Sequence, residues 1–93
     1  MQNIIVDGIV IIKAEEIIEA HNDCFGKQLQ DKIKEELDEL NINANVKRYL
    51  CKISKISIEQ TLMFIEFDTK EDMNLYKLIG YWCNEDGIYC RLK

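Results

Sequence analysis

The sequence predicts a single α+β domain in which two helices cover one sheet. An Ile- and Val-rich run at residues 9–13 is typical of a buried strand. Apolar residues at steps of three and four over residues 28–40 are typical of an amphipathic helix. Asn84-Glu85-Asp86-Gly87 is a strong turn signal late in the chain. The 93 residues, with no Pro and four Gly, suit one domain, 1–93, without a flexible linker.

The N-terminal region predicts the first strand. Residues 3–13 are rich in β-branched side chains, and Asp7-Gly8 is either a bulge or a tight turn that divides this run into a hairpin. The most favourable strand lies at residues 9–13, and we expect it to belong to the main sheet.

The helical pattern that follows has a break near its middle. Apolar residues begin a stripe at Ile17 and continue it into residues 28–40. Gly26 is unfavourable inside a helix by about 1 kcal/mol, and Asn22-Asp23 can cap a new helix start. We therefore expect a short first helix, a joint and then the main helix.

The second half of the chain predicts further strands and one capped helix. The expected strands lie at residues 46–53, 61–67, 81–83 and 88–92. Thr69-Lys70-Glu71-Asp72 resembles a capping box, so we expect a helix to begin there and to end at Gly80. The turn at residues 84–87 joins the last two strands, where Trp82 and Tyr89 are expected to form a cross-strand pair.

This order of strands and helices is typical of a ferredoxin-like βαββαβ fold. Right-handed crossovers would place both helices on one face of an antiparallel sheet. The first and third strands would lie in the middle of that sheet. The second face would stay open, and in this architecture an open face is an available binding surface.

The charge of the chain restricts its partners. The formal net charge is −5, which argues against a strong general nucleic-acid binder because that affinity comes largely from neutralised phosphates. A local basic strip that includes Lys47 and Arg48 is the exception.

The apolar run at residues 4–12 is too short for a membrane span and contains Asp7. We therefore expect an intracellular protein with reduced cysteines and no membrane association.

The single histidine, His21, and the four cysteines form no metal-binding or catalytic pattern. No CxxC pair occurs, and one histidine cannot complete a zinc finger. A nucleophile made from His21 and Cys24 would also need an orienting group and an oxyanion hole, which the neighbouring residues do not supply. We expect no enzyme activity, no metal and no cofactor, and we interpret the thiols as small apolar groups.

The residues around the third expected strand resemble an RNA recognition motif. The resemblance lies in Phe64-Ile65-Glu66-Phe67-Asp68-Thr69-Lys70-Glu71-Asp72 and in the octamer position at residues 60–67. Strand alternation directs Leu62 and Phe64 toward the open face, where bases would stack. Phe64 is the one stacking ring retained there and the leading cation of the octamer is absent, so weak RNA binding or none is expected.

A subfamily with a similarly altered RNA face, the UHM domains of splicing factors, resembles this chain further. Residues 9–13 are similar to its first strand, and Gly80-Tyr81-Trp82-Cys83 falls where that subfamily has Gly-Arg-x-Phe. Tyr81 and Cys83 stand in place of its Arg and Phe. The main helix is acidic, as in the subfamily, and carries Asp31, Glu35, Glu36, Asp38 and Glu39.

The resemblance implies a noncatalytic domain that binds a short basic peptide containing Trp. The acidic residues of the main helix would meet the cations of the peptide, and Tyr81, Trp82 and Cys83 would form the corner that holds its Trp. The partner would be the larger subunit of a splicing auxiliary factor or a branch-site factor. The setting would be nuclear pre-mRNA splicing.

Two other functions fit the same sequence. An RNA-binding recognition motif would use Leu62 and Phe64 together with Lys47 and Arg48. A ferredoxin-like assembly or regulatory domain would instead form a homodimer through its open sheet face. Salt-dependent RNA binding would indicate the first function, and concentration-dependent mass the second.

Overall fold

The computed structural model describes residues 2–20, 26–53 and 59–93, and over these ranges the predicted α+β class is confirmed. Its elements are β1 (Gln2–Val6), β2 (Ile9–Ala14), β3 (Glu16–Glu19), α1 (Lys27–Glu39), β4 (Ala44–Lys52), β5 (Glu59–Phe67), α2 (Lys70–Ile79), a 3-10 turn (Trp82–Asn84) and β6 (Ile88–Leu92). From β3 onward the order is strand, helix, strand, strand, helix, strand, which is compatible with a ferredoxin-like fold.

The main sheet of the described residues contains four strands in the order β3-β4-β5-β6. β3 and β5 each pair antiparallel with β4, whereas β5 and β6 are parallel. Two details of the prediction are therefore wrong. The strands follow chain order rather than having the first and third in the middle, and the sheet is mixed rather than antiparallel. Residues 9–13 pair with β1 outside the main sheet, and residues 16–19 supply its first strand. That strand pairs with β4 at the edge rather than lying between β5 and β6, so β5 and β6 pair directly, and they are parallel.

Both helices pack on one face of the main sheet, as predicted. α1 contributes the buried side chains of Ile33 and Leu37, and α2 contributes that of Tyr76. They contact a layer of strand residues made of Val46, Met63, Ile65, Phe67, Ile88 and Cys90. This layer alternates with residues that face the other way, so the predicted orientation of β5, with Leu62 and Phe64 directed away from the helices, is confirmed.

The β1–β2 hairpin packs on the other face of the main sheet. Asp7 and Gly8 form its turn with φ of 53° and 78°, the left-handed conformations that a type I′ turn requires. Ile4 and Ile12 are among the hairpin side chains that pack on the sheet, where Cys51, Leu62 and Phe64 are buried. The expectation of an open face is therefore wrong, because the Ile-rich hairpin removes these apolar side chains from water.

The ends of both helices follow signals in the sequence. α1 begins directly after Gly26, whose φ is 88°. Thr69 caps α2, since its Oγ1 accepts the backbone N–H of Asp72 at 3.1 Å, and Gly80 follows the last helical residue. Most of the predicted joint, at residues 21–25, lies outside the described residues.

Two short segments differ from the prediction. Residues 16–19 form β3 rather than a helix, because their backbone pairs with β4 while Ile17 packs inward. Trp82 begins a 3-10 turn rather than a strand. The expected pairing of Trp82 with Tyr89 is also wrong, since Tyr89 stacks on Phe64 with 5.6 Å between ring centroids.

Candidate functional site

α2 ends in a corner that turns the chain toward β6, and Gly80 permits the shape of this corner. The backbone N–H of Gly80 donates to the carbonyl of Tyr76 at 2.7 Å. A Cβ placed on Gly80 would lie 2.6 Å from Cε1 of the Tyr76 ring, far inside the contact distance of carbon atoms. The missing side chain therefore lets the Tyr76 ring pack against the corner. Residues 80–83 are called the aromatic corner below.

Glu36 connects α1 to the aromatic corner. Its Oε1 accepts the hydroxyl of Tyr76 at 2.5 Å, and its Oε2 accepts the backbone N–H of Tyr81 at 2.9 Å. Burial, together with the hydrogen bond to Glu36, raises the pKa of Tyr76, so its hydroxyl remains protonated and donates. α1 and the aromatic corner therefore lie side by side. The sequence predicts that these two elements form one site.

The five acidic residues predicted to bind a peptide are spread around α1 rather than gathered on one side. Relative to Glu36, the directions of Glu39, Glu35 and Asp38 are rotated by about 60°, 100° and 160°, and Asp31 points close to Asp38. Glu39, which is exposed, is therefore the carboxylate nearest to Glu36 on the corner side of the helix. Asp38 points away from the corner. It lines a groove with Lys47 on the other side of α1. Glu35, Glu36 and Glu39 are called the acidic flank below.

Two of the predicted carboxylates already have partners within the chain. Both oxygens of Glu36 accept hydrogen bonds, and Asp31 accepts one from Nζ of Lys27 at 2.7 Å. The hydrogen bond from Lys27 lowers the pKa of Asp31. Glu35 and Glu39 form no ion pair with another described residue, so they are the carboxylates of the acidic flank that remain available on the surface.

Of the three predicted corner residues, Tyr81 is the most exposed, at 66%. Its ring meets Trp82 edge to face with 4.8 Å between centroids, and Trp82 and Cys83 pack partly into the helix-side core. The Cys83 thiol donates to the carbonyl of Gly80 at 3.0 Å, and burial raises the pKa of that thiol. The corner therefore presents the Tyr81 ring, supported by Trp82, beside a thiol that stays protonated at neutral pH.

The surface of α2 that leads to the corner is apolar and exposed, a feature that the sequence analysis missed. Leu75, Leu78 and Ile79 are 43%, 81% and 51% exposed, and with Tyr81 they form what we call the apolar stripe. Residues at this spacing lie on one side of a helix. These residues make the apolar surface of α2 wider than the side that packs into the core through Tyr76. That excess of apolar residues is the sequence signal that could have revealed the stripe.

The aromatic and aliphatic residues predicted for RNA binding are enclosed by other side chains. Leu62 and Phe64 are 2% and 0% exposed. The Phe64 ring lies between Tyr49 and Tyr89, and the guanidinium carbon of Arg91 sits 4.4 Å from the ring centre. Phe64 is therefore not presented as a stacking surface.

The expected exposed basic strip is wrong for Arg48. This residue is 2% exposed, and its Nε donates to Oε1 of Gln30 at 2.7 Å. Lys47 is partly exposed, with its Nζ 3.4 Å from Oε1 of Glu66, and this carboxylate raises the pKa of Lys47. Both cations therefore belong to networks within the chain.

Two cavities lie away from the aromatic corner. One of about 530 Å³ is bounded by the β1–β2 hairpin and the main sheet, with Tyr49, Phe64 and Arg91 in its lining. The other, of about 440 Å³, lies beside α1 and is lined in part by Asp38 and Lys47. Neither is lined by the acidic flank or the aromatic corner, so a ligand of the corner would not occupy either cavity.

Comparison with known proteins adds no functional assignment, since no family model, curated protein or solved structure matches this chain. Within the described ranges, no group of three or more His, Cys, Asp and Glu side chains is arranged to hold a metal ion. No helix among the described elements is long and apolar enough to cross a membrane. The function of the site is therefore interpreted from its geometry and chemistry.

Proposed function

We propose that this chain is a noncatalytic protein-interaction domain that binds a basic linear peptide containing Trp. The peptide lies across the acidic flank and the aromatic corner, with its cations near Glu35 and Glu39 and its Trp against Tyr81. The observation that carries this proposal is the pair of hydrogen bonds from Tyr76 and Tyr81 to Glu36. These bonds hold Tyr81, whose ring is exposed, against the side of α1 on which Glu39 is exposed.

This arrangement suits a ligand that combines positive charge with an aromatic ring. Exposed carboxylates attract Lys and Arg side chains at a distance, which speeds encounter more than it raises affinity. A ring packed on Tyr81 contributes about 0.5–1.5 kcal/mol beyond the effect of its buried area. The net charge of −5 acts in the same direction, because it favours cationic ligands over nucleic acids.

The proposed setting follows the resemblance to UHM domains. The partner is a protein with a Trp-containing motif, such as a larger splicing auxiliary factor subunit or a branch-site factor, in nuclear pre-mRNA splicing. Tyr81 supplies the ring that the subfamily takes from the position of Cys83. The strand order of the main sheet differs from the order expected for that family. The surface chemistry, rather than the resemblance, is therefore the main support for the proposal.

Isothermal titration calorimetry with a Lys- and Arg-rich peptide that contains one Trp tests the proposal. We expect binding to weaken about tenfold when the peptide Trp is replaced by Ala, or when Tyr81→Ala removes the exposed ring. The double charge reversal Glu35→Lys/Glu39→Lys should weaken binding and reduce its salt dependence. The matched control is Glu15→Lys/Glu59→Lys, which makes the same change of net charge at two exposed residues outside the acidic flank.

Each possible result has a defined meaning. Absence of binding up to millimolar peptide, or binding that is indifferent to the Trp→Ala change, would overturn the proposal. An equal loss of affinity in the two charge-reversed proteins would show general electrostatic attraction and would remove the acidic flank from the site. Circular dichroism of the Tyr81→Ala protein should match that of the wild type, because the ring is 66% exposed.

A further inference from the structure

We infer that the peptide binds as an amphipathic helix whose apolar face packs along the apolar stripe of α2, an inference that rests on the proposed function. The site described above accounts for Tyr81 but not for Leu75, Leu78 and Ile79, which are 43%, 81% and 51% exposed. Single exposed apolar residues are ordinary on protein surfaces. Four large ones between residues 75 and 81 form a patch, and such patches indicate contact surfaces.

The apolar stripe is continuous with the acidic flank. Its last member, Tyr81, donates its backbone N–H to Glu36 at 2.9 Å. The contact between Gly80 and the Tyr76 ring fixes the direction in which the chain leaves α2. A ligand that contacts both Tyr81 and the acidic flank therefore also borders the exposed side chain of Ile79.

The backbone of α2 determines which ligand conformation fits this surface. The N–H and C=O groups of a helix bond within the helix, so α2 has no free backbone edge to which an extended peptide could add. An extended peptide would turn part of its backbone toward apolar side chains that offer no hydrogen-bond partner. A helical peptide satisfies those groups and presents anchors at i, i+3 and i+4. The helical part of the stripe, residues 75–79, is about 6 Å long at 1.5 Å per residue, slightly more than one turn of such a helix, and Tyr81 extends the stripe beyond the end of α2.

The charges near the stripe favour a basic partner. Glu71 and Asp72 precede the stripe in the first turn of α2, and Glu85 and Asp86 follow the aromatic corner. The acidic flank lies beside its last residue, and Lys77 is the basic residue within its span. A helix with an apolar face bordered by Lys and Arg complements this surface, whereas an acidic amphipathic helix is repelled by it.

Two peptides of identical composition test the inference by calorimetry. In the first, one Trp and two Leu share one side of a helix and the Lys and Arg residues lie on the other. In the second, the same residues are permuted so that the apolar side chains point in all directions. We expect the first peptide to bind about tenfold tighter and to gain helical circular dichroism on binding, because short free peptides are mostly unfolded.

Variants of the protein locate the contact. Leu78→Ser should weaken the first peptide about fivefold. Ile9→Ser is the matched control on β2, at a residue that is 66% exposed, and it should leave the affinity unchanged. Because Leu78 is 81% exposed, its substitution should retain the fold, which thermal unfolding verifies.

Failure of the inference is distinguishable from failure of the proposed function. If neither peptide binds, the proposed function is wrong, and the inference that the peptide docks as a helix on α2 is wrong as well. If both peptides bind equally, and Tyr81→Ala weakens them while Leu78→Ser does not, the proposed function stands and docking as a helix on α2 is overturned.

Discussion

Glu36 and Tyr76 are 40 residues apart in the chain, yet the Tyr76 hydroxyl donates to Oε1 of Glu36 at 2.5 Å. The second oxygen of the same carboxylate accepts the backbone N–H of Tyr81. One side chain of α1 therefore holds both the end of α2 and the start of the aromatic corner. Glu36 supports the proposed binding surface, while the carboxylates of Glu35 and Glu39 are exposed to solvent.

Glu36→Gln should lower the free energy of unfolding by about 1–3 kcal/mol, because a side-chain amide has one acceptor oxygen where the carboxylate has two. The amide oxygen can still accept the N–H of Tyr81, but the amide NH₂ then faces the Tyr76 hydroxyl, whose proton loses its acceptor. Urea unfolding measures the change. Tyr76→Phe removes the donor of the same bond, so the double variant should lose less than the sum of the single losses. Strictly additive losses would contradict this coupling.

Gly80→Ala should cost about 1–3 kcal/mol of stability and also weaken peptide binding. The φ of Gly80 is −74°, so the backbone conformation itself suits Ala, and the cost comes from Tyr76, whose ring atoms would lie 2.6 Å and 2.7 Å from the new Cβ and whose carbonyl oxygen would lie 2.7 Å from it. Gly8→Ala is the control, since its Cβ would meet open space at a φ of 78°. It should cost about 1 kcal/mol from backbone strain and leave peptide affinity unchanged. Normal stability of the Gly80→Ala protein would contradict this close packing, because both the Tyr76 ring and the backbone at the end of α2 would have to shift without cost.

Packing of the β1–β2 hairpin on the sheet can be tested with two Ile residues of β2. Ile12→Ser should lower stability by about 1–3 kcal/mol, because Ile12 packs on the buried cluster around Leu62 and Phe64. Ile9→Ser should change stability by less than about 0.5 kcal/mol, since Ile9 is 66% exposed. Chemical unfolding of both proteins measures the difference. Equal effects of the two substitutions would indicate that the hairpin does not cover this face.

Stability should depend on pH through Cys90. Burial raises the pKa of its thiol from 9.0 to about 11 in the folded protein. Between these values the unfolded chain releases this proton more readily than the folded chain, so stability is complete below pH 9 and falls as the pH rises toward 11.

Cys90→Ala isolates this contribution. The variant should be less stable than the wild type at pH 8, because it loses buried contacts. The difference between the two unfolding free energies should narrow from pH 9 to pH 11, because other titrating groups are common to both proteins. Urea unfolding at several pH values measures it, and a constant difference would contradict the assignment.

The elements that the sequence predicts correctly are those that local chemistry determines. Period-two alternation set the orientation of Leu62 and Phe64, and the hydroxyl of Thr69 set the start of α2. Asp7-Gly8 favours the left-handed turn that it forms. Each of these sequence signals determines the structure of residues only a few positions away.

The elements that were missed depend on distant partners. Residues 16–19 fit a helical stripe, and only pairing with β4 makes them a strand. The Ile-rich run at residues 9–13 suits any strand in a buried environment, so its sequence does not reveal that it pairs with β1 outside the main sheet. The covered face follows from this choice of partner, whereas the strand order follows from the pairing of β3 with β4 and of β5 with β6.

The candidate site was predictable in its residues but not in its arrangement. Counting 3.6 residues per turn separates Asp38 from Glu36 by about 160° and would have revealed that the acidic residues are spread around α1. The hydrogen bonds to Glu36 from Tyr76 and Tyr81 could not be predicted, because they require the packing of α1 against α2.

The strand order β3-β4-β5-β6 has a consequence for how the chain acquires its structure. Of the three strand pairs in this sheet, only β4 and β5 are joined by a short connection. The pairing of β3 with β4 joins Glu16 to Lys52, 36 residues apart, and the pairing of β5 with β6 joins Met63 to Ile88, 25 residues apart. Closing long loops costs more chain entropy than closing short ones, so the β4–β5 hairpin is expected to form before the two outer strands join it.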